Sequence, residues 1–452
     1  MRVVHRPIAI PDFGVIDPPP ALNASIYRER CRRAFAAAQA DWLIVYADRE
    51  HFANILFLSG FEPRFEEALL LLGKDDRTIL ITGNECVPYA DVSPLPELEV
   101  WLAQTMSLLG QDRSQAPRLT DVLRDCGISG SDSVALVGWK YLGADEWEEG
   151  PAPSFVPAAY VAALDRVAGS VIDRSDILLH PETGQRSIID ADQIAVFEAA
   201  AARGSEMVWA IVTGTQPGER ESDAAARFGY RGMPFNVHTM LTSGGPREGS
   251  VNGLKSPGQR RIARGDGIST AVGLCGGLTA RAGLVTDEDA EFVTVASGYF
   301  AAIAQWYAAA DIDVPGGEIH DRVTGHLADA GLRSLLNPGH LTGHEEWSHT
   351  PIRPGSSDRI RSGMHMQVDI IPTPMRDGWA LNCEDSVVFA DAALRSELAE
   401  RHPQMWGRMQ ARRSFMRDTL GIAVSESVLP LSSVPACLAP LWLRSDCLLA
   451  VE

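Results

Sequence analysis

The segment GHLTGHEEWSHTP, at Gly339–Pro351, concentrates side chains that could bind a metal or move a proton. Its histidines and glutamates are His340, His344, His349, Glu345 and Glu346. An imidazole titrates near neutral pH and binds metals, and carboxylates accept protons or coordinate cations. The segment by itself fits a metal site, a proton-transfer site or a polar loop. Which of the three it is depends on the side chains that the rest of the chain places beside this segment.

Two downstream carboxylates are candidate partners. Asp369, in SGMHMQVDIIP, and Glu384, in NCEDSVVF, fall on predicted strands among apolar residues. A buried carboxylate is costly unless it is paired. We therefore expect each of them to have a charge partner or to belong to a site.

The first part of the chain is predicted to be an α/β domain over residues 1–180, because strands alternate with helical stretches around a central sheet. The predicted elements are a helix at Ile26–Ala40, a helix-to-turn segment at Asn54–Phe61 and strands at Trp42–Ala47, Ala68–Gly73, Thr78–Gly83 and Val134–Gly138. The first twenty residues contain five prolines and are predicted to form an extended arm. The turn residues of HPETGQR end the domain after Leu179.

The second domain is predicted over residues 185–452, with a C-terminal extension. Long helices are predicted at Asp190–Val212, with Asp190 or Asp192 as the N-cap, and at Asp287–Ala310. A Pro-Gly pair, acidic residues and a helical run follow each helix, which makes a weak internal repeat and suggests two related halves. The segments between the helices alternate small or apolar residues with polar ones. This alternation favours a largely antiparallel sheet with one face on helices and the other lining a site.

The composition narrows the functional classes. The 452 residues carry 40 basic and 59 acidic side chains, a net charge of −19, which argues against a nucleic-acid surface. The seven cysteines are scattered and never form C-x-x-C, so we expect a reducing cytosol and no disulfide framework. No apolar run reaches the roughly 18 residues of a membrane span, and the N-terminus lacks a signal-peptide pattern. A cytoplasmic protein that binds a small molecule is predicted.

Five segments in order carry a resemblance to a known superfamily. They are TQPGERESD, LTSGGPREGSVNGLKSPGQRRIARGD, PGHLTGHEEWSHTP, SGMHMQVDIIP and NCEDSVVF. The sequence resembles the creatinase/prolidase/aminopeptidase P superfamily, the M24 pita-bread hydrolases. The resemblance implies an α/β N-terminal domain and an α+β pita-bread domain with pseudo-twofold halves. It also implies a homodimer in which a neighbouring N-terminal domain covers each site.

The usual members of this superfamily hold two divalent metals with two aspartates, one histidine and two glutamates. The histidine position matches His340, and the glutamate positions match Asp369 and Glu384. The first aspartate position falls on Ala271, and the second falls on Ala282 without a gap or on Ala280 with one. The resemblance therefore implies a member that lacks the metal-binding aspartates and binds no metal. A single divalent cation at the histidine and the two acidic positions stays open.

Creatinase resembles the peptidases in fold but acts without metal, and Thr279-Ala280 reads like its strand. Its catalytic histidine corresponds here to Asn252, which could donate a hydrogen bond instead. Arg281 could occupy the space of a lost cation and pair with Asp369 or Glu384.

The other candidates come from the histidine-rich segment. His349 lies near the second histidine of the superfamily motif, and His344 and Trp347 belong to the same inserted loop. The predicted catalytic residues are His340, His349, Asp369 and Glu384. The predicted substrate-binding residues are Asn252, Arg281, His344 and Trp347.

In the predicted reaction, Glu384 or Asp369 orients the substrate or acts as general base, and His340 or His349 carries the proton to the leaving nitrogen. The favoured function is a metal-independent hydrolase that cleaves a C–N bond of a small amide or amidine. The alternatives are an Xaa-Pro peptidase with a reduced metal site and a non-catalytic pita-bread binding protein.

Overall fold

A computed structural model describes residues 1–16, 18–143, 146–147 and 150–452, which divide into two compact units. The smaller unit is Leu22–Ser187, and the larger unit combines Met1–Ala21 with Ile188–Glu452. The first residues group with the larger unit rather than with the domain predicted over residues 1–180. The reason is that strand β1 (Val3–Pro7) pairs antiparallel with the last strand of the chain, Cys447–Val451.

The smaller unit is a mixed six-stranded sheet with helices. Its elements are α1 (Ala24–Ala38), β2 (Trp42–Ala47), α2 (Ala53–Ser59), β3 (Ala68–Leu72), β4 (Thr78–Thr82), α3 (Cys86–Tyr89), β5 (Glu99–Leu102), α4 (Leu119–Asp125), β6 (Ser133–Val137), α5 (Ala158–Asp165), β7 (Ser170–Asp173) and α6 (Asp176–Leu179). The strand order is β5-β4-β3-β2-β6-β7. The predicted strands are confirmed, as is the helix-to-turn segment, which ends at Gly60 in the left-handed conformation.

Strand β2 shows why these strands are apolar without alternation. Leu43, Val45 and Ala47 enter the core on one face of the sheet, and Trp42, Ile44 and Tyr46 enter the core on the other. A sheet that is covered on both faces needs continuous hydrophobic runs.

The larger unit is built around a seven-stranded sheet. Its further elements are α7 (Ala191–Gly214), α8 (Glu221–Ala225), β8 (Met240–Gly244), β9 (Gly267–Leu274), β10 (Gly277–Leu284), α9 (Ala290–Ala309), α10 (Gly316–Asp329), β11 (Arg333–Ser334), β12 (His340–Leu341), β13 (His365–Val368), β14 (Pro372–Thr373), β15 (Asn382–Phe389), α11 (Ala392–Arg401), α12 (Pro403–Asp418), β16 (Val428–Pro430) and β17 (Cys447–Val451). Short 3₁₀ turns lie at Ala90–Val92 and Gln104–Met106 in the smaller unit, and at Ala226–Phe228 and Trp442–Arg444 in the larger unit. None of the described helices is both long and apolar enough to cross a bilayer.

The strand order is β12-β13-β15-β10-β9-β8, with β16 beside β15, and every pair is antiparallel. This agrees with the predicted antiparallel sheet. The first long helix begins where it was predicted, because Asp190 accepts a hydrogen bond from the backbone N–H of Gln193. The second begins at Ala290, later than the predicted Asp287, because Asp289 is the residue that accepts from the backbone N–H of Phe292.

Helix α7 packs closely on one face of this sheet. At the β9–β10 turn, Gly276 has φ +128°, and a Cβ there would lie 2.7 Å from Phe197 Cδ1 on α7. Only glycine allows both the turn and this approach. The sheet is thereby held against the helix on one side, and its other side is left to line a cavity.

Candidate functional site

The larger unit contains a cavity of about 460 Å³ on the face of the sheet that carries the candidate residues. A row of directly opposed residues crosses four strands below it: Met240 on β8, Ala271 on β9, Ala280 on β10 and Glu384 on β15. All four line the cavity. Opposed residues of antiparallel strands share a face of the sheet, so this row passes from an apolar end to an acidic end.

The apolar end is a small hydrophobic cluster. Met240, Ala271, Leu278 and Ala280 pack together and line the cavity, and we call them the apolar floor. Leu278 joins the floor because it lies two residues from Ala280 on β10, and side chains two apart in a strand point the same way.

The acidic end brings together three carboxyl groups, Glu346, Asp369 and Glu384, which we call the acidic wall. His340 lies behind them, fully buried and outside the cavity lining. Its Nε2 is 3.0 Å from Glu346 Oε1, 4.0 Å from Asp369 Oδ2 and 3.9 Å from Glu384 Oε1. Its Nδ1 is 3.2 Å from the carbonyl oxygen of Leu341, which fixes the ring with Nε2 toward the carboxyl groups. The imidazole of His340 therefore lies within 4.0 Å of all three carboxyl groups.

Several atoms of this group make no hydrogen bond with the described residues. They are His340 Nε2, Asp369 Oδ1 and Glu384 Oε1. The close approach of Glu346 Oε1 to Nε2 lies off the N–H direction, so it is an ion pair rather than a linear hydrogen bond. Buried polar atoms without partners are rare in proteins and mark sites where a ligand can supply the partner.

The burial of the group sets its protonation states. Burial raises the pKa of Asp369 to about 7, against the opposing pull of the His340 charge. Burial also raises the pKa of Glu384 well above its ordinary value, and the nearby Asp369 charge adds to this. Burial alone would lower the pKa of His340, but the charge of Glu346, with Glu384 and Asp369, outweighs it and raises that pKa well above its ordinary value.

Glu346 reaches the wall from a hairpin that the sequence analysis treated as an insertion. The Leu341 N–H donates to the His349 carbonyl at 2.7 Å, and the Ser348 N–H donates to the Leu341 carbonyl at 3.0 Å. The Gly343 carbonyl accepts from the Gly276 N–H at 2.8 Å, which ties the hairpin to the β9–β10 turn. Glu346 was missed as a site residue because its role depends on this fold of the loop.

Trp347 follows Glu346 on the same hairpin and stacks on His340. The ring centroids are 4.0 Å apart and the planes differ by 18°. The side chain also lines the cavity and is 38% exposed. A tryptophan face stabilises a neighbouring cation, so the stack favours the imidazolium form of His340.

The predicted pairing of Arg281 with Asp369 or Glu384 is wrong. Arg281 alternates with Ala280 and Ala282 on β10, so its side chain points to the opposite face of the sheet. There it is fully buried, and its Nη2 donates to both oxygens of Asp385 at 2.9 and 2.8 Å. Arg281 is therefore a structural residue of the sheet and not a substrate-binding residue.

The remaining predicted residues divide between the cavity and its surroundings. Asn252 lines the cavity, as predicted for a substrate-binding residue. His344 packs edge-on against Phe197, with centroids 5.2 Å apart, and does not line the cavity. His349 also lies outside the lining, and its Nδ1 accepts from the Thr350 N–H at 2.8 Å. These two histidines therefore lie outside the cavity lining.

Three polar residues that the sequence analysis did not single out complete the lining: His238, Ser269 and Asn382. Two of them follow from strand alternation. Ser269 lies two residues before Ala271 on β9, and Asn382 lies two residues before Glu384 on β15. His238 precedes β8, and its Nε2 lies 3.0 Å from the Leu254 carbonyl oxygen.

Comparison with solved structures shows the fold over about four fifths of the chain. The prolidase from Pyrococcus horikoshii OT3 aligns with a TM-score of 0.63 at 16% identity, over 80% of this chain and 95% of that one. The chain has the pita-bread hydrolase fold. The prolidase from Pyrococcus furiosus gives 0.61 at 15% identity over 79% and 96%. The Xaa-Pro dipeptidase from Bacillus anthracis gives 0.60 at 16% identity over 82% and 96%.

No protein-family model matches the sequence, and no curated protein matches it either. The predicted resemblance to the creatinase/prolidase/aminopeptidase P superfamily is thus confirmed by structure, at the level of fold.

This pita-bread fold implies a pair of divalent metals, and the described residues do not fit a pair. Ala271 and Ala280 oppose each other on β9 and β10 and face the cavity, and Ala282 faces it two residues further on. Divalent cations need oxygen, nitrogen or sulfur ligands, which methyl groups cannot provide. The positions where the resemblance places the two aspartates therefore form an apolar surface. Among the described residues, the acidic groups that line the cavity are those of the acidic wall, and the group that could hold one metal ion is His340, Glu346 and Glu384.

Proposed function

We propose that the protein hydrolyses a C–N bond of a small amide or amidine without a two-metal centre. The observation that carries the proposal is the acidic wall, in which three carboxyl groups line the cavity within 4.0 Å of the buried His340. The structural neighbours named prolidase and Xaa-Pro dipeptidase support a hydrolase of C–N bonds on this fold. A cavity with a mostly apolar lining and a few convergent polar groups is typical of a small-molecule site.

The two deeper carboxyl groups supply an acid and a base. Asp369, with a pKa of about 7, is ionised in part at neutral pH and can take a proton from water as the water oxygen attacks the substrate carbon. Burial raises the pKa of Glu384 well above its ordinary value, so Glu384 can hold a proton and give it to the leaving nitrogen as the C–N bond breaks. The proton on Asp369 then returns to Glu384, which restores the site. Unlike pKa values for neighbouring carboxyl groups are the usual sign of such a division of roles.

His340 acts in this proposal through the wall rather than on the substrate. His340 was predicted as one of the two histidines that could carry the proton to the leaving nitrogen, but it does not line the cavity. Its positive charge lies 3.0 Å from Glu346 Oε1 and holds the pKa of Asp369 lower than burial alone would set it. We therefore propose His340 as a positioning residue, with Glu346 and Trp347 holding it in place.

One specific observation favours a second candidate, a hydrolase with a single cation, such as an Xaa-Pro peptidase with a reduced metal site. His340, Glu346 and Glu384 can each offer one ligand atom, and these atoms all lie within 4.8 Å of one another. A single cation could bridge atoms at that spacing. The names of the structural neighbours, prolidase and Xaa-Pro dipeptidase, fit this second candidate better. The first proposal is argued from the alanines at the positions where the resemblance places the two aspartates.

The two candidates are separated by measuring turnover and metal content on the same sample. The protein is treated with a chelator, dialysed and assayed against a panel of small amides, amidines and Xaa-Pro dipeptides. We expect substoichiometric metal by mass spectrometry, turnover of at least one amide or amidine, and loss of that turnover in Glu384→Gln. Turnover that appears only after one equivalent of divalent cation is restored would favour the second candidate. Absence of turnover across the panel, with and without cation, would favour a binding protein.

The predicted homodimer and cytoplasmic location stay predictions. Light scattering at micromolar concentration tests the dimer, because a mass near that of one 48.9 kDa chain would contradict it.

A further inference from the structure

The charges around the cavity are unbalanced. No lysine or arginine of the described residues lines it, and the lining carries the carboxyl groups of Glu346, Asp369 and Glu384. The arginine on the nearest strand, Arg281, is bound to Asp385 on the opposite face. The imidazole of His340 is therefore the cation that the three carboxyl groups share, and it is closest to Glu346.

The two inner carboxyl groups offer acceptor atoms that the protein does not use. Asp369 Oδ1 and Glu384 Oε1 are buried and accept no hydrogen bond from the described residues. Both residues are at most 5% exposed. Planar cations with several N–H groups suit this pair, because they can donate hydrogen bonds to the unfilled acceptor atoms and bring a positive charge beside Asp369, the carboxyl group that the proposed reaction needs ionised.

The opposite side of the cavity is suited to a different kind of chemical group. The apolar floor of Met240, Ala271, Leu278 and Ala280 offers no hydrogen bond from its side chains, and the two alanines leave space above the sheet. Burial of a hydrocarbon group there is favourable in proportion to its area. A ligand that satisfies both sides carries a cation at one end and an apolar body at the other.

We propose that the cavity selects cationic, carboxylate-free ligands in which an amidinium, guanidinium or ammonium group is attached to an apolar body. The cation lies against Asp369 and Glu384, and the apolar body covers the floor. A ligand with a free carboxylate, such as a dipeptide with its C-terminus, would place a second negative charge beside the wall with no lysine or arginine to receive it. Unpaired buried charge is strongly unfavourable, so this is discrimination by repulsion as well as by attraction.

This inference names the substrate class of the proposed hydrolase and rests on the same site, but its test uses binding alone. Benzamidine, benzamide and benzoate are matched probes, because they share one ring and differ in charge from positive through neutral to negative. Their affinities for the full-length protein are measured by calorimetry at neutral pH. We expect benzamidine to bind at least tenfold more tightly than benzoate, with benzamide between them. Equal or tighter binding of benzoate would overturn the inference.

Variants test whether the named side chains cause the preference. Asp369→Asn should lower the affinity for benzamidine about tenfold or more and leave benzamide nearly unchanged, because only the cation gains from the charge. Ala271→Leu should weaken all three probes by a similar factor, because it fills the floor without altering the wall. Glu345→Gln is the matched control, since it removes a carboxylate from the same hairpin as Glu346 but outside the cavity lining.

The outcomes separate the inference from the proposed function. One outcome is that the protein prefers benzamidine, loses this preference in Asp369→Asn and yet turns over no amidine. This outcome would support the inferred ligand class and contradict the proposed hydrolase activity. Efficient turnover of Xaa-Pro dipeptides with free carboxylates would support a hydrolase activity but contradict the inferred preference for carboxylate-free cations. Preference for benzamidine that survives Asp369→Asn would place the cation elsewhere and overturn the assignment of the site. Circular dichroism and thermal melting of each variant confirm that a loss of binding is not a loss of fold.

Discussion

The apolar floor and the acidic wall lie in one cavity, yet they are built differently. The floor comes from the interiors of β8, β9 and β10, where strand alternation alone decides which side chains face the ligand. The wall comes from β15, from the residue after β13 and from a hairpin, which meet only in the folded chain. A polar residue at a floor position can therefore be replaced by alanine without a change in the backbone. The wall depends on three separate segments keeping their places.

The difference between the floor and the wall would disappear if carboxylates placed on the floor could bind a cation together with the wall. Ala271→Asp with Ala280→Asp places two charges in an apolar surface, which should lower the free energy of unfolding by roughly 3–5 kcal/mol, the cost of an uncompensated buried charge. A divalent cation that binds these charges together with the wall should recover much of the loss.

Thermal melting with and without manganese or zinc measures this recovery. The matched control is Ala271→Asn with Ala280→Asn, which has the same size without the charge and should not respond to the cation. No response in the aspartate variant would mean that the wall and the floor are too far apart, or too poorly aligned, to share an ion.

The wall should carry the chemistry. Asp369→Asn and Glu384→Gln should each lower kcat by about 10²-fold or more, which is about 2.7 kcal/mol, the usual scale for a positioned acid or base. Steady-state kinetics on the substrate that the panel identifies provides the measurement, and Glu345→Gln should retain activity within a few-fold. Near-normal turnover in both wall variants would move the reaction to another part of the cavity.

The role of His340 is best tested by pH. Turnover should rise as Asp369 loses its proton, so the acidic limb of the kcat/KM profile should have its midpoint near pH 7. The charge of His340 lowers the pKa of Asp369, so His340→Gln should move that limb to higher pH. A shift of one unit would lower kcat/KM about tenfold on the acidic side, with a smaller effect on the alkaline side.

A residue with only a structural role would not produce this pattern. A uniform loss of kcat/KM at every pH in His340→Gln would contradict the positioning role. The same profile measured for Glu345→Gln should keep the wild-type midpoint.

Much of the fold could be predicted from the sequence because local patterns specify it. The buried strand at Trp42–Ala47 and the N-cap at Asp190 follow from continuous apolar residues and from capping chemistry. The pairing of the first strand with the last could not be read locally, because it joins Val3 to Val451 and neither segment specifies its partner.

The candidate site was predictable where it lies on regular strands or in recognisable motifs. His340, Asp369 and Glu384 were found by their match to the motifs of the superfamily that the sequence resembles, and the structure brings them together. Arg281 was assigned to the wrong face because its sequence neighbours do not say which face of β10 lines the cavity. Glu346 was overlooked because a loop residue acquires its role from the path of the hairpin, which has no periodic signal.

Burying Asp369 and Glu384 links the stability of the fold to proton concentration. Between the ordinary pKa of a carboxyl group, 3.8 for aspartate, and the raised pKa of Asp369 near 7, the folded chain keeps a proton that the unfolded chain has released. Stability rises with pH only where the unfolded state binds more protons, so here it falls as pH rises. The raised pKa of His340 acts in the same sense, because its contribution is complete below the unfolded value of 6.5 and disappears as pH rises through the folded value.

The protein should therefore tolerate mild acid better than mild alkali. Its melting temperature should decline as the pH rises from about 4 through 7. Asp369→Asn should flatten the acidic half of that curve, because the substituted side chain no longer titrates. A melting temperature that rises through neutrality would mean that the carboxyl groups are ionised and paired in the folded chain.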